Sequence, residues 1–404
     1  MIWNKLILRA RLLAKIITMF FVRLLAYFHD GKGIWLVAEK TDEARDNGYW
    51  FYRYLRLKHP EQHAYFVISA VSPDYGKIVE YGKEHIVEPN SLKHKVLFWS
   101  AQYNTCSQPH SDYFSSYRPL KGLRSKKQVN TFLQHGITKD NLSHGLDAGQ
   151  SGFDLFVTAA KREQEAVIKR HGYTLSTCIL TGLCRYDNLP LSHEKKSKVI
   201  LIMPTFRHWI ITASQDGNPT AEEREKFLKD PFCTVYKSLL YSDRTKKMLE
   251  KYGYTILFYP HYCAQPFLDC FEEGIGNERV VLASNRKFDV QKLLIEADVL
   301  ITDFSSIFFD FAYMRKPEIF YQFDEEKYRA GHYEEGYFKY RQDAFGPVFK
   351  KESDVLDYME KILDNGAQME KKYESRVNDF FAFNDHNNCE RIYNAIINYK
   401  ESSC

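Results

Sequence analysis

Asp303, Ser305 and Ser306 follow the apolar run at residues 299–301 and precede Ile307, Phe308, Phe309 and Phe311. That order predicts a strand, a polar turn and a helix. A helix N-terminus carries unpaired N–H groups and partial positive charge, and two serine hydroxyls beside it suit a phosphate. Ser305 acting as a plain helix cap accounts for the same residues. Lys316-Pro317 stops the helix, because proline cannot continue it, and residues 318–321 read as a second strand. Residues 297–324 therefore form a βαβ unit, whose turn lies at the carboxyl edge of the sheet where open α/β folds bind ligands.

Other expected strand ends carry similar groups. Residues 128–133 (QVNTFL) deliver His135 and Gly136: an imidazole suits a general base, and glycine lets backbone approach a ligand closely. A turn histidine satisfied by its neighbours is the competing reading. Residues 199–203 deliver Pro204, Thr205, Phe206 and Arg207, and residues 254–259 deliver Pro260 and His261. In the polar segment 182–189, Arg185 and Asp187 stand two apart, where the arginine clamps a phosphate or pairs with other loop groups.

These residues need a scaffold that lines up strand ends. Residues 33–40, 64–69, 101–106, 128–133, 153–158 and 178–182 read as strands alternating with helices. A second series, 199–203, 254–259, 280–282 and the opening unit, follows a polar, proline-led linker at 190–198. Repeated βα units imply parallel sheets covered on both faces. A chain of 404 residues suits two domains, expected at 30–190 and 198–375 with a C-terminal helical segment at 376–404. The polar insert 214–230 and the aromatic stretch 328–349 are expected as loops near the site.

The eight cysteines form no CxxC pair, which fits free thiols in a reducing compartment and argues against a structural zinc. Of the net charge of +4, five basic residues (Lys5, Arg9, Arg11, Lys15, Arg23) precede the first acid, Asp30. The remainder is close to neutral and has no general nucleic-acid surface. Those basic residues break the apolar run at 2–28 too often for a membrane span, and no cleavage site follows it. On a helical wheel they oppose Leu6, Leu13, Ile17, Phe20, Phe21, Leu24 and Phe28, the pattern of a helix (residues 1–29) lying in an anionic membrane interface. Docking of that helix on its own domain is the alternative.

In order and spacing these motifs resemble the CDP-glycerol glycerophosphotransferase family, the teichoic-acid and capsule polymerases. The resemblance runs from about Trp35 through LVAEKTDEARDNGYWFYRYLR, His135-Gly136, GxxRxDxL at 182–189, PTFR at 204–207 and His261, to DVLITDFSSIFFDFAYMRKPEIFYQFD. It implies a GT-B fold, two Rossmann-like domains with parallel sheets facing a central cleft. It also implies peripheral attachment to the cytoplasmic face of the membrane, a CDP-polyol donor, and a polymer or lipid-linked saccharide acceptor. By the resemblance His135 is the base that deprotonates the acceptor hydroxyl. His261, Arg185, Thr205, Arg207, Ser305 and Ser306 surround the pyrophosphate, and Asp303 orients the serine turn. Gly136, Lys139, Asp187 and Asp310 join the substrate-binding set on the same ground. No metal or cofactor is called for if enough such donors converge, and oligomer formation is left open. His135-Gly136-Ile137-Thr138 replaces the family's His-Gly-Thr-Pro, and Phe258-Tyr259-Pro260-His261 replaces Arg-x-His-Pro, which admits ribitol or another polyol as the donor group. The rivals are a GT-B glycosyltransferase using a sugar nucleotide and a non-catalytic membrane-associated scaffold.

Overall fold

The computed structural model describes residues 17–109, 128–141, 144–192, 196–211, 219–272, 278–331 and 334–402. The first part of the expected membrane helix, residues 193–195 of the linker and residues 214–218 of the polar insert lie outside the described residues.

Seven strands form one parallel sheet: β1 (Ile34–Ala38), β2 (His63–Val67), β3 (Ile86–Val87), β4 (Tyr103–Cys106), β5 (Val129–Phe132), β6 (Leu155–Thr158) and β7 (Cys178–Leu180). Six more form a second: β8 (Val199–Met203), β9 (Thr255–Phe258), β10 (Val280–Leu282), β11 (Val299–Thr302), β12 (Glu318–Tyr321) and β13 (Val348–Phe349). Their orders are β3-β2-β1-β4-β5-β6-β7 and β10-β9-β8-β11-β12-β13. Each sheet is wound outward in both directions from a central pair, β1/β4 or β8/β11, which is the Rossmann order. The reversal opens a crevice at the carboxyl ends of those two strands. Both sheet faces are covered: every residue of β1, β4, β5, β6, β11 and β12 is buried, as expected of parallel sheets packed on both sides.

The chain divides into two compact units. The first holds the chain up to His135, residues 144–187 and the chain from Asp385; the second holds residues 136–141 and 188–384. These boundaries differ from the expected ones, most of all at the C-terminus, where a separate segment at 376–404 was anticipated. Helix α7 (Asn388–Ser402) instead belongs to the first unit. Asp187 accepts the backbone N–H groups of Asn388 and Cys389, both at 2.8 Å, and Arg391 Nε donates to the Thr181 carbonyl at 2.8 Å. Tyr393 stacks on His59, and Ile392 and Ile396 are fully buried.

Six further helices matter here: α1 (residues 17–28), α2 (Asn47–Lys58), α3 (Phe308–Tyr313), α4 (Glu325–Gly331), α5 (Tyr340–Asp343) and α6 (Lys371–Phe380). Helix α1 docks on the first unit through Met19, Val22 and Ala26, with Arg23 over the Trp99 ring. Its other side exposes Ile17, Phe20, Phe21, Leu24, Tyr27 and Phe28, each at 56% or more. The helix thus has two apolar faces, and Arg23, expected at an anionic membrane interface, lies on the protein. No helix among the described residues is long and apolar enough to cross a membrane.

Candidate functional site

In the first unit, residues from the carboxyl ends of β1 and β5 meet. Asp46 stands at the N-cap position of α2 but does not cap it. Glu39, one residue past β1, does so instead: its oxygens accept the N–H groups of Arg45 (2.7 Å), Asp46 (3.3 Å) and Tyr49 (2.9 Å). Gly48 makes this approach possible, since a Cβ there would lie 2.9 Å from Glu39 Oε2. Relieved of capping, Asp46 directs Oδ2 to His135 Nδ1 at 2.7 Å and Oδ1 to Arg185 Nη1 at 2.9 Å. Burial alone would raise the Asp46 carboxyl; His135 and Arg185 outweigh it and hold it below the usual range. For Glu39 the balance is reversed: burial and then the Asp46 charge push it up to about 8, against three N–H donors that favour the anion.

The backbone around His135 is equally fixed. Gln134 has φ of +62°, an uncommon value for a residue with a Cβ. Asn47 Nδ2 holds its carbonyl at 2.7 Å, and its own amide reaches the Val157 carbonyl (2.7 Å) and Glu163 (2.9 Å). Asn47 Oδ1 also accepts the Arg185 N–H, and Arg185 donates to the His135 carbonyl. The His135 side chain remains 64% exposed. Nδ1 lies 2.7 Å from both Asp46 Oδ2 and Gln108 Nε2; in the tautomer whose Nδ1–H is donated to the carboxylate, Nε2 is the nitrogen that can take a proton from a substrate, and the carboxylate stabilises the imidazolium that results.

In the second unit, the β8/β11 crevice carries Thr205, Asp303 and the serine turn. Asp303 accepts the N–H groups of Thr205 (2.9 Å) and Phe304 (2.5 Å), and Thr302 Oγ1 donates to the Met203 carbonyl at 2.7 Å. The turn is therefore stitched to both central strands. The helix begins at Phe308 rather than at the serines; Ser305 Oγ instead accepts the Ile307 N–H at 3.4 Å, and both serines are half-buried. Thr205 Oγ1 is buried with no hydrogen-bond partner among the described residues, a costly state that an acceptor at this crevice would relieve. Beside it, the His261 ring lies on Phe206 at 4.7 Å, and its Nδ1 accepts the Cys263 N–H at 3.3 Å. With Nδ1 as the acceptor, the neutral ring carries its proton on Nε2.

Five expected ligands have other occupations. Arg207 is fully buried, paired bidentately with Asp324 (2.7 and 2.9 Å) and with Asp303 at 2.9 Å. Burial opposes its charge, but Asp303 and Asp324 raise its pKa further. It is a strut beneath the serine turn, not a group open to pyrophosphate. Arg185, buried against Asp46, serves His135 in the first unit. Asp187 anchors α7, and Asp310 is 1% exposed within α3. Lys139 is 5% exposed and paired with Asp140, which also binds Arg329 at 2.8 Å. Burial depresses the Lys139 ammonium despite that carboxylate. Gly136, half-buried, begins the largely buried stretch that belongs to the second unit.

Sequence reading missed Asp46, Asn47 and Glu39 as individual site residues. Asp-Asn-Gly before a helix reads as cap and turn, and nothing local pairs Asp46 with a histidine 89 positions away.

A sequence profile of the family described as CDP-Glycerol:Poly(glycerophosphate) glycerophosphotransferase matches residues 18–398. The chain is 32% identical over 91% of its length to the minor teichoic acid biosynthesis protein GgaB of Bacillus subtilis (strain 168), and covers 40% of that protein. It is 29% identical over 83% of its length to the teichoic acid poly(glycerol phosphate) polymerase of Staphylococcus epidermidis, and covers 46% of it. The chain thus spans less than half the length of these curated relatives. The solved structure of the wall teichoic acid polymerase TagF superposes with a TM-score of 0.66 at 17% identity, covering 99% of this chain and 98% of that one. The fold is accordingly the GT-B-like pairing of two parallel α/β sheets. With the family profile matching from α1 into α7, the chain belongs to the CDP-glycerol:poly(glycerophosphate) glycerophosphotransferase family.

Proposed function

We propose that the chain transfers glycerol phosphate, or a related polyol phosphate, from a CDP-activated donor to a hydroxyl of a teichoic-acid-like acceptor. The observation that carries this reading is the Asp46–His135 pair, a general-base arrangement with an exposed imidazole in a member of this family. His135 Nε2 takes the acceptor proton as the hydroxyl oxygen bonds to the donor's β-phosphorus. The bond from that phosphorus to the bridging oxygen breaks, and CMP leaves. Such a displacement depends on positioning and charge stabilisation more than on covalent help. Ser305, Ser306, the Thr205 hydroxyl and His261 Nε2–H supply donors for the pyrophosphate in the second unit.

The test incubates the purified chain with acceptor and CDP-glycerol, CDP-ribitol or UDP-sugars. CMP release from a CDP-polyol is expected; UDP release alone would assign the chain to sugar transfer.

The same reading places the chain peripherally on the cytoplasmic face of the membrane, through the exposed apolar side of α1. Fully burying a large apolar side chain is worth about 1.5–3 kcal/mol, so replacing Phe20, Phe21 and Leu24 by serine should lower binding to anionic vesicles by roughly 100-fold or more. Undiminished co-sedimentation would remove α1 as the anchor.

A further inference from the structure

A pocket of about 450 Å³ lies on the second unit beside the edge strand β13. Arg341 reaches it from α5, Lys350 from just past β13, and Lys372 and Arg376 from α6; Glu325 is the single carboxylate in its wall. Three separate elements thus aim cations at one concavity, two strands away from β11 and the serine turn. Their existing partners are weak competitors. Lys350 pairs with Glu325 at 3.0 Å, and Lys372 shares Glu370 with Lys361. Partly exposed pairs of this kind contribute about 0–1 kcal/mol. Arg376 donates to the Ala344 carbonyl at 2.6 Å. Arg341 makes no ion pair or side-chain hydrogen bond among the described residues. Even with Glu326 and Glu370 counted, the positive charge is in excess. The buried ring of Tyr373, and Pro347 and Val348, give the pocket an apolar side.

We propose that this pocket binds the phosphodiester backbone of a polyol-phosphate chain, holding a polymer away from the reacting end. The proposal rests on the polyol-phosphate reading of the preceding subsection and adds a second binding site to it. Arginine and lysine recognise phosphate through charge-assisted hydrogen bonds. A ligand with one negative charge per repeat meets several cations at once, whereas a single nucleotide donor would use one or two. The apolar wall suits the carbon atoms between phosphates.

The experiment uses the full chain and a labelled, soluble poly(glycerol phosphate) oligomer, with affinity measured at low and high salt. Arg341→Ala, Lys350→Ala and Lys372→Ala are combined, since all three side chains lie on the surface and the fold does not depend on them. Oligomer affinity is expected to fall about tenfold or more, with a shallower salt dependence, while CMP release with a single-unit acceptor stays at the wild-type rate. Unchanged oligomer affinity overturns the proposal. So does loss of binding to anionic vesicles with oligomer affinity retained, which assigns the cations to lipid headgroups. Oligomer binding is read without turnover, so absence of CMP release from the wild-type chain counts against the transfer reaction and not against the pocket.

Discussion

On the proposed reaction, His135→Ala is expected to lower the rate of CMP release by about 10²- to 10⁴-fold, the usual contribution of a positioned general base, and to leave the thermal transition close to wild type. The side chain is 64% exposed, and its removal leaves Asp46 paired with Arg185, so no buried charge is stranded. Asp46→Asn separates two consequences that His135→Ala does not. The amide keeps the shape but loses the charge that orients Nδ1–H and stabilises the imidazolium, so kcat is expected to fall while the donor KM stays unchanged. It also leaves the Arg185 guanidinium, 9% exposed, without its counter-ion. Uncompensated buried charges of this kind cost about 3–5 kcal/mol, so this variant melts earlier as well. The measurements are CMP release and melting on both proteins. Wild-type turnover in His135→Ala would remove the residue from the mechanism. An Asp46→Asn protein as fast as wild type would reduce Asp46 to a structural contact.

The contrast between these two residues shows what the sequence carries. The strand end that carries His135 was legible, because an apolar-rich run precedes it and a glycine follows; its role as a base was read only from the family resemblance. The same holds for Thr205, Asp303 and the serine turn, each at a strand end that the apolar runs locate. Partnerships across the fold were not legible. Asp46 lies 89 residues from His135, and Asp324 lies 117 from Arg207. A lone arginine after a strand looks the same whether it meets a phosphate or a buried carboxylate. The C-terminal helix was recognisable as a helix, but its return to the first unit depends on the Asp187 carboxylate meeting its N-terminus, which no periodicity encodes. The helix after the serine turn was placed too early for a similar reason. Ser305 is a good capping residue by type, whereas the turn at residues 306–307 is set by Asp303 holding the Thr205 and Phe304 N–H groups.

Arg207 offers the sharpest choice between a strut and a ligand. Its guanidinium is fully buried, held by Asp324 through two nitrogens and by Asp303 through the third, with the rings of Phe232 and Tyr328 within 5.2 Å of its centre. Arg207→Met removes the cation and leaves two carboxylates of low exposure beside each other. A loss of about 3–5 kcal/mol is expected, a large part of the roughly 5–15 kcal/mol that stabilises a typical domain. Amide exchange in β8 and β11 should accelerate accordingly, with β1 and β5 of the first unit unaffected. Arg207→Lys should not rescue the fold, because an ammonium cannot engage both carboxylates with a planar fork. Adding Asp303→Asn and Asp324→Asn to Arg207→Met should recover part of the loss, since the stranded charges are then gone. A pyrophosphate ligand behaves in the opposite way: Arg207→Met would keep wild-type exchange and melting and raise the donor KM alone. That result would return Arg207 to the substrate and require the Asp303–Asp324 pocket to open when the donor binds.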